Sequence, residues 1–281
     1  MAGGLIDLKR RIKSVQNTQK ITKAMGLVAT SKFKKVRARA EKNEPYINKF
    51  NEVIKTLALS QDAESSIYFN KNKVDTDLYI IITSDSGLCG SYNANVIKRA
   101  LEDMEGKKVK LLTVGEKARS FFVRRGYDTI AEYVEVGDYP VYWDAVDIMK
   151  HAIDSYKNGE VRSVKLIYTK FYSPVKQEVE VLKLLPLEKP KEKVNREFEF
   201  EPRASRVLDY IFPKYLNNML YYAILTSIAS EYAMRMNAMD SATKNAQELL
   251  NKLQTMYNRL RQSSITQEIT EIVSGAEALK E

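Results

Sequence analysis

Residues 84–91, Ser-Asp-Ser-Gly-Leu-Cys-Gly-Ser, could bind phosphate, because they follow a strand-like apolar run and precede a helical pattern. In α/β proteins the backbone N–H groups of such a turn, at the positive end of the helix dipole, hold nucleotide phosphates. The turn matches neither GxGxxG nor GxxxxGK[ST], and it contains no lysine. We therefore interpret it as a structural strand-to-helix turn, with nucleotide binding as the alternative.

The single cysteine and the single histidine offer little else for catalysis. Cys89 could be a reactive thiol at a helix start, and His151, four residues after Asp147, could share a proton or a metal ion. One cysteine excludes an intramolecular disulfide and a multi-cysteine zinc site, and one histidine argues against a Ser-His-Asp triad or a multi-histidine site. We favour a small turn residue for Cys89 and a surface contact for His151, and we expect no cofactor.

Positive charge is concentrated at the N-terminus. Residues 8–40 contain eleven Lys or Arg and no Asp or Glu, and the whole chain has a net charge of +9. Because exposed helices normally mix both signs, this stripe predicts an acidic partner: nucleic acid, anionic lipid or an acidic protein surface. Its composition is also that of a transit peptide, but its apolar repeat continues beyond a removable leader, so we expect it to be mature structure.

Aromatic residues could also serve nucleic-acid binding, since four tyrosines near the start of the last segment could stack on bases. They lie at helical spacing, at positions Tyr210, Tyr215, Tyr221 and Tyr222. Packing against a neighbouring helix is the interpretation we favour.

A helix with a coiled-coil repeat is predicted for residues 1–60, bent or restarted at Pro45. Its seam positions alternate steps of three and four: Leu5, Leu8, Ile12, Val15, Gln19, Thr22, Gly26, Ala29, Phe33, Val36 and Ala40. The middle of this seam is small or polar, so a partner helix could approach closely there.

A second long helix is predicted for residues 214–274, about 90 Å at ~1.5 Å per residue. Its predicted seam is Met239, Ala242, Ala246, Leu249, Leu253, Met256 and Leu260, after which the phase slips to Ile265, Ile269, Ile272, Ala276 and Leu279. Such a helix needs a long partner, and the N-terminal helix is the only candidate. Because the chain runs out and returns, the pair should be an antiparallel coiled coil.

Between the helices, strand and helix signals alternate, which predicts a small, mainly parallel sheet covered by helices. Strands are expected at 78–83, 109–114, 161–172 and 178–185, the last two as a hairpin, and helices at 93–104, 116–125 and 143–157. The predicted segments are thus an N-terminal helix (1–60), an α/β domain (75–190) and a C-terminal helix (204–281), with a charged connector at 187–203. No stretch approaches the ~18–20 apolar residues of a membrane helix.

Three sequence blocks together resemble the bacterial-type γ subunit family of F-type ATP synthases. They are residues 14–25 (SVQNTQKITKAM) with 29–32 (ATSK), residues 84–90 (SDSGLCG), and residues 235–246 (RMNAMDSATKNA) with 257–262 (YNRLRQ) and 265–276 (ITQEITEIVSGA). The family fold, an antiparallel coiled coil of terminal helices with a Rossmann-like foot, is the architecture inferred above. Gly26 departs from the family, which often has a larger residue there, and with Cys89 alone the regulatory cysteine pair of chloroplast members is excluded.

The resemblance implies a non-catalytic rotor at the cell membrane, peripheral on its cytoplasmic side. It would transmit rotation of the membrane c-ring to catalytic β subunits, coupling ATP synthesis to ion flow, with the proton as the expected ion and Na⁺ as the alternative. Its partners would be the α and β subunits, ε and the c-ring, with no nucleic acid and no direct membrane insertion.

The resemblance also implies which residues touch those partners. Lys20, Lys23 and Met25 would face the acidic loop of a β subunit. Polar contacts with the hexamer would come from Arg261, Gln262, Thr266 and Glu268. The apolar stretch that includes Ile269, Ile272 and Leu279 would sit in an apolar bearing.

Two other classes of protein are alternatives. A coiled-coil nucleic-acid-binding protein would explain the basic stripe but not the α/β insert, and it would show steeply salt-dependent DNA binding. A phosphate-handling α/β enzyme would explain the middle domain, but the sequence lacks a catalytic constellation.

Overall fold

The computed structural model describes residues 2–70, 72–137, 139–188, 201 and 203–278. Two compact units emerge from its contacts: a two-helix unit from residues 1–29 and 236–281, and a larger unit from residues 30–235. The first long helix, α1, spans Ala2–Ala58, and the last, α5, spans Ala204–Ala278. Within the described ranges, no helix has a stretch that is both long and apolar enough to cross a bilayer.

The larger unit contains a five-stranded sheet in the order β3-β2-β1-β4-β5. Strands β1 to β4 are parallel, and β5 returns antiparallel to β4, so the mainly parallel sheet and its hairpin are confirmed. The elements are β1 (Thr76–Ile82), α2 (Tyr92–Met104), β2 (Lys108–Val114), α3 (Glu116–Val123), β3 (Thr129–Tyr133), α4 (Tyr142–Lys157), β4 (Ser163–Phe171) and β5 (Gln177–Leu185), with short 3₁₀ turns at Gln61–Ser65 and Ile67–Phe69.

Strand β1 is buried on both faces, which explains its unbroken apolar run. Alternate side chains point to opposite faces, so Leu78, Ile80 and Ile82 pack in one core cluster while Tyr79 and Ile81 pack in another. The first cluster includes residues of α4 and, from α5, Ala204, Leu208, Phe212, Leu216, Met219, Leu220, Ala223 and Ile224. The second is closed by residues of α2 and α3. The sheet is therefore a middle layer whose cover on one face comes partly from the end of the chain.

Both long helices continue through a proline. Pro45 lies within α1 and Pro213 within α5, so the expected bend or restart at Pro45 does not end the helix, and α5 begins ten residues before the predicted Lys214. Buried neighbours explain this result: Ala40 and Ile47 flank Pro45 in the core, and Leu208 and Leu216 flank Pro213. Tertiary packing outweighs the lost hydrogen bond. Most of the predicted connector 187–203 lies outside the described residues.

The two-helix unit is an antiparallel pair, as predicted. Gln19 Nε2 donates to Gln247 Oε1 at 2.8 Å, and the hydroxyls of Thr22 and Thr243 lie 2.8 Å apart. The second contact lies three residues later in α1 and four residues earlier in α5 than the first, so the two helices run antiparallel. In α1 the predicted seam from Leu5 to Gly26 is half-buried throughout.

The predicted seam of α5 is partly wrong. Met239, Ala246 and Leu253 are buried, but Leu249 is 37% exposed while Leu250 is 9% exposed. The seam continues through half-buried Tyr257, whereas Met256 and Leu260 are exposed. The seam thus takes steps of four from Ala246 to Leu250 and from Leu253 to Tyr257, where steps of three were predicted, and both spacings are compatible with a coiled coil.

Gly26 weakens the two-helix unit through backbone entropy alone. A Cβ built there would lie 3.5 Å from Met239 Cβ, an ordinary van der Waals distance. Gly26→Ala should therefore raise the free energy of unfolding by about 0.5–1 kcal/mol. Urea denaturation followed by circular dichroism measures this change. As control, Gly4→Ala, where a Cβ would meet nothing within 4 Å near the start of α1, should change stability less. A destabilised Gly26→Ala variant would contradict the reasoning.

Candidate functional site

The turn between β1 and α2 is closed by its own hydrogen bonds. Ser84 N–H donates to Asn93 Oδ1 at 3.0 Å, and Ser84 Oγ donates to the Ser86 carbonyl at 2.6 Å. Asn93 Nδ2 donates to Ser84 Oγ at 2.8 Å and to Cys89 Sγ at 3.2 Å. The polar groups of this turn are thus used to fix its own shape, as expected of a structural turn.

Arg235 attaches this turn to the C-terminal helix α5. Its Nη2 donates to Ser86 Oγ and to the Gly87 carbonyl, both at 3.0 Å, and its Nη1 donates to Glu231 Oε1 at 2.6 Å. The side chains of Arg235 and Glu231 are 7% and 11% exposed. A buried guanidinium needs this full set of acceptors, because an unpaired buried charge is strongly destabilising. The pair is therefore a structural clamp.

The cavity beside the turn is poorly suited to phosphate. It has a volume of about 230 Å³ and lies at the carboxyl ends of β1 and β2. Three carboxylates line it, from Asp85, Glu135 and Glu231, and the described lining includes no lysine or arginine. An anionic ligand would be repelled there, which disfavours the nucleotide-binding alternative.

Cys89 is buried in this turn. Burial raises the pKa of its thiol, and the hydrogen bond between Cys89 and Ser84 only partly opposes that effect. A thiol that stays protonated is a weak nucleophile. This environment fits the small turn residue that we favoured over a reactive cysteine.

His151 contacts a neighbouring aromatic ring at the surface. The exposed His151 ring lies 6.2 Å from the Tyr133 ring, and the described residues contain no group of three or more His, Cys, Asp or Glu side chains able to hold a metal.

Two of the four predicted tyrosines make clear packing contacts. Tyr215 Oη donates to Asn51 Oδ1 at 2.9 Å, and Tyr221 packs against Tyr142. Tyr222 is half-buried, whereas Tyr210 is exposed beneath Lys214. Helix packing thus accounts for three of the four tyrosines.

The predicted partner-contacting residues of α1 lie on the two-helix unit. Lys20 and Lys23 are exposed, three residues apart on one helix face, and Met25 is half-buried. Neither lysine forms an ion pair with any residue that the structure describes. Two cations without local carboxylates can attract an acidic surface.

The predicted contact residues of α5 are exposed as well: Arg261, Gln262, Thr266 and Glu268. Thr266 Oγ1 donates to the Gln262 carbonyl at 2.9 Å, and Ser264 Oγ donates to Glu268 Oε1 at 3.5 Å. The later apolar positions Ile269 and Ile272 are also exposed, while Leu279 lies outside the described residues. These side chains are available to a partner but do not form an enclosed site.

Sequence reasoning gave no role to Glu231, Arg235 or Asn93. One signal was present: Glu231 and Arg235 stand four residues apart inside an otherwise uncharged stretch of α5. Such spacing predicts an ion pair on one helix face. It does not reveal that the partner is a turn almost 150 residues earlier.

Comparison with known proteins gives consistent matches along the whole chain. A family model described as ATP synthase matches residues 4–279. The ATP synthase gamma chain of Clostridium acetobutylicum is 50% identical, with 100% of both chains aligned, and that of Clostridium novyi is 47% identical, with 99% of both aligned.

Solved structures agree in fold. A chain of the Tetrahymena thermophila mitochondrial ATP synthase central stalk and c-ring is 30% identical, with a TM-score of 0.62, covering 79% of this chain and 99% of that one. A chain of the Euglena gracilis mitochondrial ATP synthase, from an assembly of OSCP, F1 and c-ring, has a TM-score of 0.75 at 15% identity, covering 99% and 95%. The second similarity shows the fold alone.

Proposed function

The chain belongs to the ATP synthase gamma chain family, and from that premise we propose that it transmits rotation of the membrane c-ring to the catalytic β subunits. It is a non-catalytic subunit of the central stalk, and its partners include the α and β subunits and the c-ring. The observation that supports torque transmission is the antiparallel helix pair, held in register by the Gln19–Gln247 and Thr22–Thr243 contacts.

A fixed register allows a helix pair to transmit rotation. In an apolar seam, one helix can slip along the other by a turn with little change in contact, whereas a polar pair inside the seam specifies one alignment. Moving either threonine away from the other would lose the contact between the two half-buried hydroxyls, although each would keep a carbonyl acceptor in its own helix, Gln19 for Thr22 and Met239 for Thr243. The register pairs therefore favour a shaft that turns as one body, which can bias the conformation of each β site in sequence.

The same proposal includes the finer assignments. Lys20, Lys23 and Met25 face an acidic loop of β, and Arg261, Gln262, Thr266 and Glu268 contact the hexamer. The ε subunit is a further partner. The chain lies at the cell membrane, peripheral and on the cytoplasmic side, and protons are the coupling ion. What supports the first contact is that both lysines are exposed and form no ion pair with any residue in the described part of the chain.

Cysteine cross-linking tests this placement in the assembled synthase. Lys23→Cys combined with one cysteine in the acidic loop of β should form a disulfide on oxidation, stop ATP hydrolysis, and regain activity on reduction. Because Cys89 is buried, it should not form a competing disulfide with the cysteine in the β loop. Lys49→Cys, also an exposed α1 lysine, is the matched control and should give no cross-link. Equal cross-linking from positions 23 and 49, or none from 23, would overturn the placement.

Removing one charge should have a small effect. An exposed, screened ion pair contributes only ~0–1 kcal/mol, so Lys23→Ala should leave the subunit composition intact and reduce coupling modestly. Subunit content of the purified complex and ATP-driven ion pumping into vesicles measure the two quantities, with Lys49→Ala as the control. If Lys23→Ala alone prevented assembly, the contact would be structural and the proposed role would be wrong.

A further inference from the structure

A second part of the basic stripe forms a surface different from that of Lys20 and Lys23. Lys35 Nζ and Arg39 Cζ lie 5.7 and 5.2 Å from the centroid of the Tyr139 ring, so consecutive turns of α1 place both cations over one aromatic side chain. Neither cation forms an ion pair within the described ranges of the chain. All three residues belong to the larger unit.

Exposed apolar side chains continue from Tyr139 into the start of α4. Val141 is 52% exposed and Trp143 is 69% exposed, although tryptophan is the largest apolar side chain in the chain. The Trp143 ring packs against the Tyr142 ring, with 6.0 Å between the ring centroids. The Tyr142 ring in turn packs against Tyr221, with 6.1 Å between centroids. The nearby carboxylate of Asp144 is already used, because it accepts the Val141 N–H at 2.7 Å.

We propose that Lys35, Arg39, Tyr139, Val141 and Trp143 form a docking surface for an acidic protein segment that also offers an apolar contact for the Trp143 ring. Trp, Tyr and Arg are the residue types that dominate binding energy at protein interfaces. The two cations are held over Tyr139 in advance and pair with no carboxylate among the residues that the structure describes, so they can supply charge complementarity to an acidic segment.

A protein partner fits this surface better than a lipid bilayer. Stable attachment to anionic lipid takes a cluster of several cations or a strongly amphipathic helix, whereas this surface offers two cations beside one compact aromatic group. An exposed tryptophan, together with an arginine and a lysine over a tyrosine, instead includes the residue types that dominate protein–protein binding energy. The inference rests on the proposed function only in that the chain acts within an assembly.

Photo-cross-linking in the assembled ATP synthase tests the proposal. Trp143 is replaced by benzoylphenylalanine, the purified complex is irradiated in its membrane, and the adducts are identified by mass spectrometry. We expect a cross-link to a polypeptide segment in which Asp and Glu outnumber Lys and Arg. Adducts with lipid only, with a neutral or basic segment, or with nothing would overturn the proposal.

Charge reversal supplies the second measurement. Lys35→Glu/Arg39→Glu should lower the yield of that cross-link at least tenfold, and raising the salt concentration should lower it in the parental protein. Lys49→Glu/Lys55→Glu, on the same helix and with the same change in net charge, is the matched control and should leave the yield unchanged. An equal loss from both variants would show that only overall charge matters and would contradict the assigned surface. Because only assembled complexes are irradiated, failure here is distinguishable from failure of the stalk assignment.

Discussion

A Gly-Gly-Gly insertion after Ala246 should abolish ATP synthesis driven by an ion gradient while leaving the complex assembled on its c-ring. Ala246 is buried in the seam of the two-helix unit, and α5 is continuous through it. Each inserted glycine costs the helix ~1 kcal/mol relative to alanine. Three residues also rotate the following part of α5 by about 300°. Leu253 then takes the exposed place of Met256, and Gln247 and Gln254 take the seam places of Leu250 and Tyr257. A shaft that is softened and out of register cannot transmit torque.

An Ala-Ala-Ala insertion at the same point separates the two effects. It causes the same rotation but keeps a strong helix-forming sequence. If stiffness dominates, the alanine variant should retain more synthesis than the glycine variant; if register dominates, both should fail. ATP synthesis against an imposed ion gradient, measured beside ATP hydrolysis in reconstituted vesicles, gives the answer. Parental synthesis by the glycine variant would show that this chain does not transmit torque.

Gly115→Ala should destabilise the larger unit by about 3–5 kcal/mol. Gly115 follows β2 with φ +98°, a conformation that side chains other than glycine rarely adopt. A Cβ there would lie 2.3 Å from the Thr83 carbonyl oxygen and 2.8 Å from Thr83 Oγ1. Thr83 cannot yield, because its N–H donates to the Val114 carbonyl and its Oγ1 accepts the Ala118 N–H, both at 2.8 Å. Both the strained backbone conformation at position 115 and the steric overlap with Thr83 therefore oppose the substitution.

Gly126→Ala is the matched control for this prediction. Its φ is +73°, but a Cβ there would meet nothing within 4 Å. It should therefore cost only the ~1–2 kcal/mol of a left-handed backbone. Urea denaturation of each variant measures the difference in free energy of unfolding. Equal losses at positions 115 and 126 would show that backbone conformation, and not the close approach to Thr83, determines the effect.

The sequence predicted most of the elements because their patterns are local. The apolar runs of β1 and β2 and the spacing of α2 and α4 fix their type and ends within a few residues. Strand β3 was missed because Thr129–Tyr133 is short and contains Glu132, so neither an unbroken apolar run nor a clean alternation marks it. It forms because β2 offers an edge with which it can pair.

The choice between Leu249 and Leu250 could not be made from one helix alone. Both leucines extend a spacing of threes and fours from Ala246, and the facing side chains of α1 decide which one is buried. The contact of Arg235 with the turn was equally inaccessible, since the acceptors there, the Ser86 hydroxyl and the Gly87 carbonyl, lie far away in the sequence. The partner-contact residues rest on the family resemblance, because isolated exposed lysines have no pattern that names what they touch.

The core of the larger unit has a consequence for synthesis of the chain. One face of the sheet, with Leu78, Ile80 and Leu112, is covered partly by α5 residues from Ala204 to Ile224. A ribosome makes the strands first, so this apolar face stays open to water until more than two hundred residues have emerged. Such a nascent chain is prone to self-association. Truncated transcripts or stalled ribosomes should therefore yield insoluble fragments, and high-level expression should benefit from slow translation or added chaperones.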